Sequence, residues 1–487
     1  MKYTHDLIVI GAGAGGLGAA GFGGLIGLKV ALIDKSEKNF GGDCLNYGCI
    51  PSKALLHIAA QFAGGRSAQK FGASFSGKAD FKQIMAHVHD LQDVIRAHES
   101  PEYLSSQYGL ETITGHAKFS GPQSIVVNER ALSAPKIVLA TGSTARRLDI
   151  PGIDQVDLYD NVGLFWTLDE LPDHLLILGG GPIGCEMGQA FRRLGSKVTI
   201  VNKAHRLLEK EPEVMAQILQ EQLAAEGIEF FHQSVVKRFT SSSEASLVVG
   251  HDKHQTQISF SHVLNAAGRE VVTEGMDLDK AKIRTENGRI VTNDKYQTTN
   301  PNIYTVGDAF GREQFSHGAE KHNIDLWNNL LSPVAKKHDL AHFSWVTFTD
   351  PQVAAFGYTE QDLKDKDIDF ELIEQPFDRD DRAVAADYRY GLLRLYMSKS
   401  NWLKSPKILG GSMIAPQAGE LIQELLLLNQ LSKPLSALTR KIYAYPVASR
   451  INQKPARDRV EQQSLSPRVK GLLRWWYRLR FGGAKNR

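Results

Sequence analysis

The sequence has 487 residues, 42% of them hydrophobic and 23% charged, which predicts about three domains with buried cores and excludes a disordered chain. Its three cysteines, Cys44, Cys49 and Cys185, exclude a disulfide-rich secreted scaffold. The net charge of +3 arises from residues 468–487, which hold seven basic and no acidic residues, so the rest of the chain is mildly acidic and a general nucleic-acid-binding face is excluded.

The chain opens with a strand, a glycine-rich turn and a helix. The strand covers residues 7–10, and a second strand over 30–33 ends at Asp34. The turn has the pattern G-x-G-x-x-G, with glycines at Gly11, Gly13 and Gly16. Such glycines let the backbone approach a pyrophosphate, the helix start donates N–H groups to it, and the acid accepts from a ribose hydroxyl. The segment therefore predicts a dinucleotide-binding fold.

Residues 7–28 are uncharged, as a membrane span or signal peptide would be. Nine of these residues are glycine, however, and Asp6 rather than a basic cluster precedes them, so neither is expected. The sequence predicts a cytoplasmic protein.

The same arrangement occurs a second time. Strands over 175–178 and 197–201 flank another glycine-rich turn. Its glycines are Gly179, Gly181 and Gly184. Two such folds imply two dinucleotides, and a flavin with a nicotinamide is the usual pair, because one delivers hydride and the other stores it.

Asn202 stands at the end of the second strand of this fold, where an acid would select NAD by binding the ribose 2′-hydroxyl. Lys203, His205 and Arg206 follow it. Because these cations can hold a 2′-phosphate, NADPH is favoured over NADH. The alternative is that they are solvated surface charges.

Further elements are predicted downstream. A helix carries His87 and His89, with His98 just after, and a solvated face is favoured over a metal site. Strands over 137–140 and 302–306 end in Thr141-Gly142 and Gly307-Asp308, well placed for cofactor contacts. After residue 344 we predict strands and a helix over 345–353, 392–397, 408–414 and 420–429.

The most informative segment contains Cys44 and Cys49, five residues apart. In a regular helix their Cα atoms would be about 8–9 Å apart, beyond the ~7 Å that a disulfide spans. The helix must therefore be distorted if they pair, and Gly48 supplies the freedom. A redox disulfide is favoured over two inert buried thiols, whereas Cys185 is expected to be a packing residue.

With these motifs in order, the sequence resembles the FAD-dependent pyridine nucleotide–disulfide oxidoreductases, which include dihydrolipoamide dehydrogenase, glutathione reductase and mercuric reductase. The resemblance implies an α/β fold with two Rossmann-like domains, the second inserted in the first, and an α+β domain that forms a homodimer. The implied boundaries are 1–155 with 291–343 for FAD, 156–290 for NAD(P) and 344–460 for the interface. The composition of residues 461–487 adds a basic, aromatic, amphipathic tail.

The resemblance also implies roles for individual residues. In the implied mechanism the nicotinamide reduces the flavin, the flavin opens the disulfide at Cys49, and Cys44 exchanges with the substrate. Lys53 and Glu186 match an ion pair beside the flavin ring. The remaining cofactor contacts that it implies are Gly11, Gly13, Gly16, Asp34, Thr141, Gly142, Gly307 and Asp308 for FAD, and Gly179, Gly181, Gly184, Asn202, Lys203 and Gly268 around the nicotinamide nucleotide.

The sequence departs from this family near its end. Disulfide-reducing members carry His-Pro-x-x-x-Glu, whose His is the acid/base for the exchanging thiol. Here Tyr445 replaces the His and Arg450 the Glu. A tyrosine, with an ordinary pKa of about 10, is a poor proton shuttle at neutral pH, so efficient reduction of lipoamide or glutathione is not expected. Whether Tyr445 itself takes part in catalysis stays open.

The sequence therefore leaves several chemical classes of electron acceptor open. Mercuric reductase also has a tyrosine there, which favours a metal ion, but the additional cysteine pair near its C-terminus is missing here because no cysteine follows Cys185. A quinone or an unusual disulfide is a further alternative. The competing interpretations are a working dihydrolipoamide dehydrogenase, a mercuric-reductase-like metal reductase, and a flavin-bearing membrane adaptor without enzyme activity.

The tail combines apolar and basic faces. Val469, Leu472, Leu473, Trp476 and Leu479 recur at helical spacing, with cations on the opposite side. Such a helix can lie in an anionic membrane interface, which would place the protein at the inner face of the membrane. The alternatives are that this helix packs across the dimer or is simply solvated, and the sequence supports them about as well as membrane binding.

Overall fold

We analysed a computed structural model of the chain, which describes residues 2–249, 254–399, 406–464 and 467–482. The described chain divides into two compact units: residues 1–209 with 223–338, and residues 210–222 with 339–487. Among the described residues, no helix combines the length and the apolar character needed to cross a bilayer.

The chain forms helices throughout its length. In chain order they are α1 (Ala14–Leu25), α2 (Gly42–Asn46), α3 (Cys49–Ala68), α4 (Phe81–Arg96), α5 (Pro101–Tyr108), α6 (Asn161–Trp166), α7 (Pro182–Leu194), α8 (Glu213–Ala225), α9 (Ser316–Leu331), α10 (Glu360–Asp365), α11 (Asp381–Ala385), α12 (Ala418–Leu421), α13 (Gln423–Gln430), α14 (Gln453–Ser464) and α15 (Pro467–Phe481).

The strands are mostly short. In chain order they are β1 (Leu7–Ile10), β2 (Val30–Asp34), β3 (Glu111–Thr114), β4 (Lys118–Gly121), β5 (Ser124–Val127), β6 (Arg130–Ser133), β7 (Lys136–Leu139), β8 (Ser143–Ala145), β9 (Leu158–Tyr159), β10 (His174–Leu178), β11 (Lys197–Val201), β12 (Ile228–Phe231), β13 (Val235–Ser241), β14 (Glu244–Val249), β15 (His254–Ser259), β16 (His262–Asn265), β17 (Arg269–Val271), β18 (Thr285–Glu286), β19 (Arg289–Ile290), β20 (Ile303–Thr305), β21 (Ser344–Thr347), β22 (Gln352–Gly357), β23 (Phe370–Pro376), β24 (Leu392–Ser398) and β25 (Ile408–Ala415).

The first unit contains two parallel sheets, each formed around one of the glycine-rich turns. The first sheet has the order β20-β7-β1-β2-β3, and the second has the order β12-β11-β10-β16-β9. All four residues of β1 are buried, as expected for a strand covered on both faces. Because β20 pairs with β7, the chain returns to the first sheet after it has completed the second.

The second unit contains a five-stranded antiparallel sheet with the order β21-β22-β25-β24-β23. Its core includes Phe356, Leu395 and Met413, all fully buried. The two parallel sheets and this antiparallel sheet confirm the fold class inferred from the sequence.

Two expectations for the second unit are wrong in detail. The single strand expected over 345–353 is two strands, β21 and β22, because the segment before Pro351 turns the chain and a proline cannot donate to a ladder. The single helix expected over 420–429 is split into α12 and α13 at Ile422, which is fully buried in the core of this unit.

Candidate active site

A cavity of about 420 Å³ opens at the carboxyl ends of β1, β2 and β7. In open parallel sheets this edge is where ligands bind. Its lining includes Gly11, Gly13, Asp34 and Cys44 together with Thr141, Gly142, Gly307 and Asp308. The cavity thus brings together residues of the first fold, the cysteine segment and the strand that returns to the sheet.

The glycine turn leaves backbone, not side chains, on one wall of this cavity. Gly11 has φ +106°, and a Cβ there would overlap the carbonyl oxygen of Ala140. A Cβ on Gly16 would overlap the carbonyl oxygen of Gly11, so helix and turn pack in direct contact. Asp34 accepts a hydrogen bond from the Ala12 N–H through Oδ2 at 2.8 Å. This bare turn beside a carboxylate fits the pyrophosphate and ribose of a dinucleotide such as FAD.

Asp308 also lines the cavity, in the 3-10 turn Gly307–Phe310. Burial raises the pKa of this carboxyl, while the Ser143 hydroxyl donates to it and opposes the shift. Thr141 is a further lining residue, and its hydroxyl donates to the carbonyl oxygen of Val272 at 3.0 Å.

Arg269 links these groups to the cysteine segment and was missed in the sequence. Its guanidinium donates to Ser143 Oγ at 2.8 Å and lies 3.2 Å from Asp43 Oδ2 and 3.9 Å from Asp308 Oδ2. Sequence reasoning singled out only the neighbouring Gly268, which has φ +114° and lies near Arg146 rather than on the cavity wall. No local sequence pattern identifies Arg269 as a site residue, because its partners are distant from it in the sequence.

The two cysteines flank a break between two helices. Cys44 lies in α2, the helix ends at Asn46, and Cys49 begins α3 after Gly48. The expected distortion at Gly48 is confirmed: φ −129° and ψ −108° lie outside the helical region. Both residues are partly buried free thiols on either side of this break, and the pKa of each thiol is shifted by the other.

The surroundings of the two thiols shift their pKa values in opposite directions. The hydrogen bond from Cys44 lowers the pKa of Cys49 to about 6, against the opposing effect of burial, with help from the Ser316 hydroxyl and the Lys53 charge. The same hydrogen bond and burial raise the pKa of Cys44. Cys49 also begins a helix, where the positive end of the dipole favours a thiolate.

Lys53 and Glu186 form an ion pair that joins α3 to α7. Lys53 Nζ lies 2.7 Å from Glu186 Oε2, and the side chains are 37% and 7% exposed. Lys53 lies four residues beyond Cys49 in α3, and its charge favours the Cys49 thiolate. Cys185 is completely buried, and its thiol donates to the Gly180 carbonyl oxygen at 3.6 Å, which confirms the expectation of a packing residue.

The second glycine turn repeats the geometry of the first. Gly179 has φ +119°, Gly181 precedes the start of α7, and a Cβ on Gly184 would overlap the carbonyl oxygen of Gly179. Asn202 is buried and faces its own loop, donating to the Arg206 carbonyl oxygen at 2.6 Å and accepting from Gly180 N–H at 3.3 Å.

The cations after Asn202 differ in what they contact. The guanidinium of Arg206 donates to the carbonyl oxygens of Leu207, Leu208 and Glu209, so its donors are turned to the backbone of its own loop. Lys203 and His205 are exposed.

The histidines expected on a helix face lie apart from the cavity lining. His87 and His98 are exposed, and His89 bonds to the Phe165 carbonyl oxygen at 2.9 Å and stacks on Trp166.

A different cluster, unanticipated from the sequence, joins Glu313, His322 and His338. His322 Nδ1 must accept, because its partner at 3.1 Å is the Gly307 backbone N–H. Its proton is therefore on Nε2, which faces Glu313 at 3.4 Å and cannot at the same time bind a metal. Burial raises the pKa of Glu313, but hydrogen bonds from both histidines outweigh it and lower this pKa to about 2. The cluster is thus a hydrogen-bonded support for the cofactor-cavity turn at Gly307.

In the second unit, Tyr445 is 68% exposed. Its hydroxyl donates to Asp381 Oδ2 at 3.2 Å, and the Arg450 guanidinium lies 5.2 Å from its ring centroid. The expected tail helix forms over Pro467–Phe481 as α15, and none of its residues is buried. Residues 465–466 and 483–487 of the tail lie outside the described residues.

Comparison with known proteins identifies the family. The pyridine nucleotide–disulphide oxidoreductase family matches residues 5–329, and the dimerisation domain of this family matches residues 343–455. The chain is similar to leghemoglobin reductase of Glycine max (31% identity, 91% of this chain and 86% of that protein) and to mercuric reductase of Staphylococcus aureus (29%, 91% and 80%).

A solved structure resembles the whole chain. The HOCl-induced flavoprotein disulfide reductase RclA of Escherichia coli matches with a TM-score of 0.80 and 27% identity, over 92% of this chain and 98% of that one. The dimerisation domain supports a homodimer. The chain therefore belongs to the pyridine nucleotide–disulfide oxidoreductase family, whose members are flavoenzymes that transfer electrons from a pyridine nucleotide through FAD to a disulfide.

Proposed function

We propose that Cys44 and Cys49 are the redox-active pair of this enzyme and that their electrons pass to a thiophilic metal ion, Cu(II) or Hg(II). The observation that carries the proposal is the placement of two free thiols on either side of a helix break, with Cys49 at the start of α3 and Cys44 on the wall of a cavity whose turn fits FAD. When bound, the flavin takes hydride from the nicotinamide and returns the electron pair to the disulfide.

The residues around the pair have distinct proposed roles. The Lys53–Glu186 ion pair sets the charge beside the thiols, and Cys44 has the role that the family resemblance implies, that of the thiol that meets the acceptor. Oxidation of the two thiols to a disulfide releases two electrons and two protons. Two Cu(II) ions each take one electron to give Cu(I), or one Hg(II) ion takes both.

Two observations favour a metal ion over a dithiol substrate. Tyr445 and Arg450 stand where dithiol-reducing relatives have the His–Glu pair, so no imidazole supplies the proton transfer there. The similar proteins include mercuric reductases, and RclA has been solved as a Cu(II) complex. Reduction to Cu(I) is favoured because soft thiolates prefer that oxidation state.

The acceptor is tested by stopped-flow oxidation of NADPH-reduced enzyme with Cu(II), Hg(II), lipoamide, oxidised glutathione and a quinone. We expect reoxidation by Cu(II) or Hg(II), with a Cu(I) chelator reporting the copper product. Enzyme with Cys44→Ser and Cys49→Ser together corrects for non-specific thiol oxidation. Rapid NAD-linked oxidation of dihydrolipoamide would show instead that the enzyme is a dihydrolipoamide dehydrogenase, and a flavin that no nicotinamide bleaches would indicate a non-enzymatic adaptor.

We propose NADPH as the preferred nucleotide, with Lys203 and His205 facing the 2′-phosphate. Arg206 is assigned no part, because its guanidinium already donates to three carbonyl oxygens. The Lys203→Glu variant should lose about tenfold in kcat/KM for NADPH and little for NADH, since one charge-assisted contact is replaced by repulsion. Lys82→Glu, a reversal on the exposed face of α4, is the control. An unchanged ratio of the two kcat/KM values would refute the assignment.

We also propose that α15 lies in an anionic membrane interface, at the inner face of the membrane. The support is its composition and exposure: five cations and no acid in fifteen residues. Its large apolar side chains are between 51% and 64% exposed at Leu472, Leu473, Trp475, Trp476, Tyr477, Leu479 and Phe481. Leu472, Leu473, Trp476 and Leu479 lie on one arc of the helix, and Lys470, Arg474 and Arg478 lie on the other. This separation fits a helix lying in the plane of a bilayer.

This proposal predicts binding to vesicles containing phosphatidylglycerol that is lost when residues 465–487 are deleted. Arg474→Glu with Arg478→Glu should weaken binding by about tenfold or more, at about 1 kcal/mol for each cation near an anionic surface, whereas Lys82→Glu should leave it unchanged. Vesicle flotation at two salt concentrations measures the effect. Equal flotation of the deleted and full-length proteins would exclude the membrane, and a dimer that dissociates on deletion would assign the helix to the subunit interface.

A further inference from the structure

Two helix starts meet at the sulfur of Cys49. Cys49 is the first residue of α3, and Ser316 is the first residue of α9. Ser316 Oγ lies 3.1 Å from Cys49 Sγ, although the two residues are far apart in the sequence. The same hydroxyl acts to lower the pKa of both thiols. A single hydroxyl therefore influences the ionisation of both members of the pair.

The direction of this hydrogen bond depends on the redox state of the pair. A thiolate carries no proton, so beside ionised Cys49 only the hydroxyl can donate. Hydrogen bonds to an ionised acceptor are roughly twice as strong as neutral ones. A disulfide sulfur is uncharged and a weak acceptor, so the bond is weaker when the pair is oxidised. The contact thus favours the reduced, ionised pair over the disulfide.

The charged groups that face the pair do not replace this donor. Lys53 favours the Cys49 thiolate, whereas Asp43 opposes it and Glu99 disfavours charge on Cys44. The C-terminal segment has Tyr445 and Arg450 in place of the imidazole–carboxylate pair. The Ser316 hydroxyl, 3.1 Å from Cys49 Sγ, is thus a neutral donor beside the pair.

We infer that Ser316 is a positioning residue that holds the negative charge on the opened Cys44–Cys49 pair by donating to Cys49 Sγ when that sulfur is ionised. This inference rests on the proposed role of the two cysteines. In each cycle the bond strengthens when the disulfide opens and weakens when it closes again. Its contribution therefore lies in the ionisation of the reduced pair and not in the folding of α9.

The test is a pH titration of the reduced holoenzyme, followed by the ultraviolet absorbance of thiolate and by the rate of alkylation. Ser316→Ala should raise the lower apparent thiol pKa by about one unit, the size expected for one lost hydrogen bond to a charged group, so that about tenfold less thiolate is present below that pKa. Ser316→Thr retains the hydroxyl at a partly exposed position and should titrate close to the wild type. Ser106→Ala, where the hydroxyl bonds within its own helix, is the matched control.

The possible results distinguish a failure of the inference about Ser316 from a failure of the proposed role of the cysteine pair. Superimposable titrations of the wild type and Ser316→Ala would overturn the role of Ser316. If Ser316→Thr shifted as far as Ser316→Ala, the effect would be structural, which would also overturn it. If NADPH produced no new titratable thiols in the wild type, the proposed role of the cysteine pair would fail, whatever Ser316 does.

Discussion

Enzyme carrying Cys44→Ser is expected to lose turnover with its acceptor by about 10³-fold or more, while NADPH still bleaches its flavin. A serine hydroxyl cannot form the disulfide with Cys49. The reduced flavin therefore has no disulfide to reduce, and its electrons cannot reach the acceptor through Cys44. Steady-state NADPH oxidation with Cu(II), beside anaerobic spectra of the flavin, measures the two effects separately.

The matched control for this variant is Cys185→Ser. Cys185 is the third cysteine of the chain, and its thiol donates to a carbonyl oxygen, a bond that a serine hydroxyl reproduces. Turnover should remain within about twofold of the wild type, because packing changes of this kind affect the stability of the protein and not the transfer of electrons to the cysteine pair. Full turnover in Cys44→Ser would mean that electrons pass to the acceptor directly from the flavin.

The second large effect is expected at the first glycine turn. Gly11→Ala should be purified without FAD and should be destabilised by about 3 kcal/mol or more. The reason is twofold: φ at this position is +106°, and the added Cβ would overlap the carbonyl oxygen of Ala140. The backbone would have to move away from the carboxyl end of β1, where the cavity begins. The ratio of flavin to protein absorbance and the thermal unfolding midpoint measure both consequences.

Gly64→Ala provides the comparison for this variant. Gly64 lies within α3, and a Cβ there meets nothing within 4 Å. Alanine should keep the flavin and stabilise the helix by up to about 1 kcal/mol. If Gly11→Ala also retained a full complement of flavin, the turn would not be the pyrophosphate site.

The parts of the fold predicted from the sequence are those encoded in short segments. The strands before Gly11 and Gly179 and the break at Gly48 follow from local hydrophobic runs and from the residues that interrupt them. The cysteine pair could be recognised because spacing and flanking glycines lie within a single stretch of chain. The division of the helix near Ile422 could not, because that residue is buried by tertiary packing and carries no local breaker.

The site residues missed in the sequence share one property: their partners are distant in the chain. Ser316 contacts Cys49, Arg269 contacts Asp43, and His322 contacts the backbone of Gly307. A serine, an arginine or a histidine is common on any surface, so its identity alone does not indicate a role. Only the folded chain brings these side chains to their partners, Ser316 and His322 after the return to the first sheet and Arg269 through the pairing of β17 with β8.

That return has a consequence for biogenesis. The cofactor-cavity residues Gly307 and Asp308 follow β20, which completes the edge of a sheet whose other strands are translated much earlier. At about 5–20 residues per second, β20 leaves the ribosome roughly 10–30 s after β7. The second sheet, whose strands all lie in the chain between these two, can fold on the nascent polypeptide during this interval. Loading of the flavin is therefore a late event of maturation, because a polypeptide released early lacks Gly307 and Asp308.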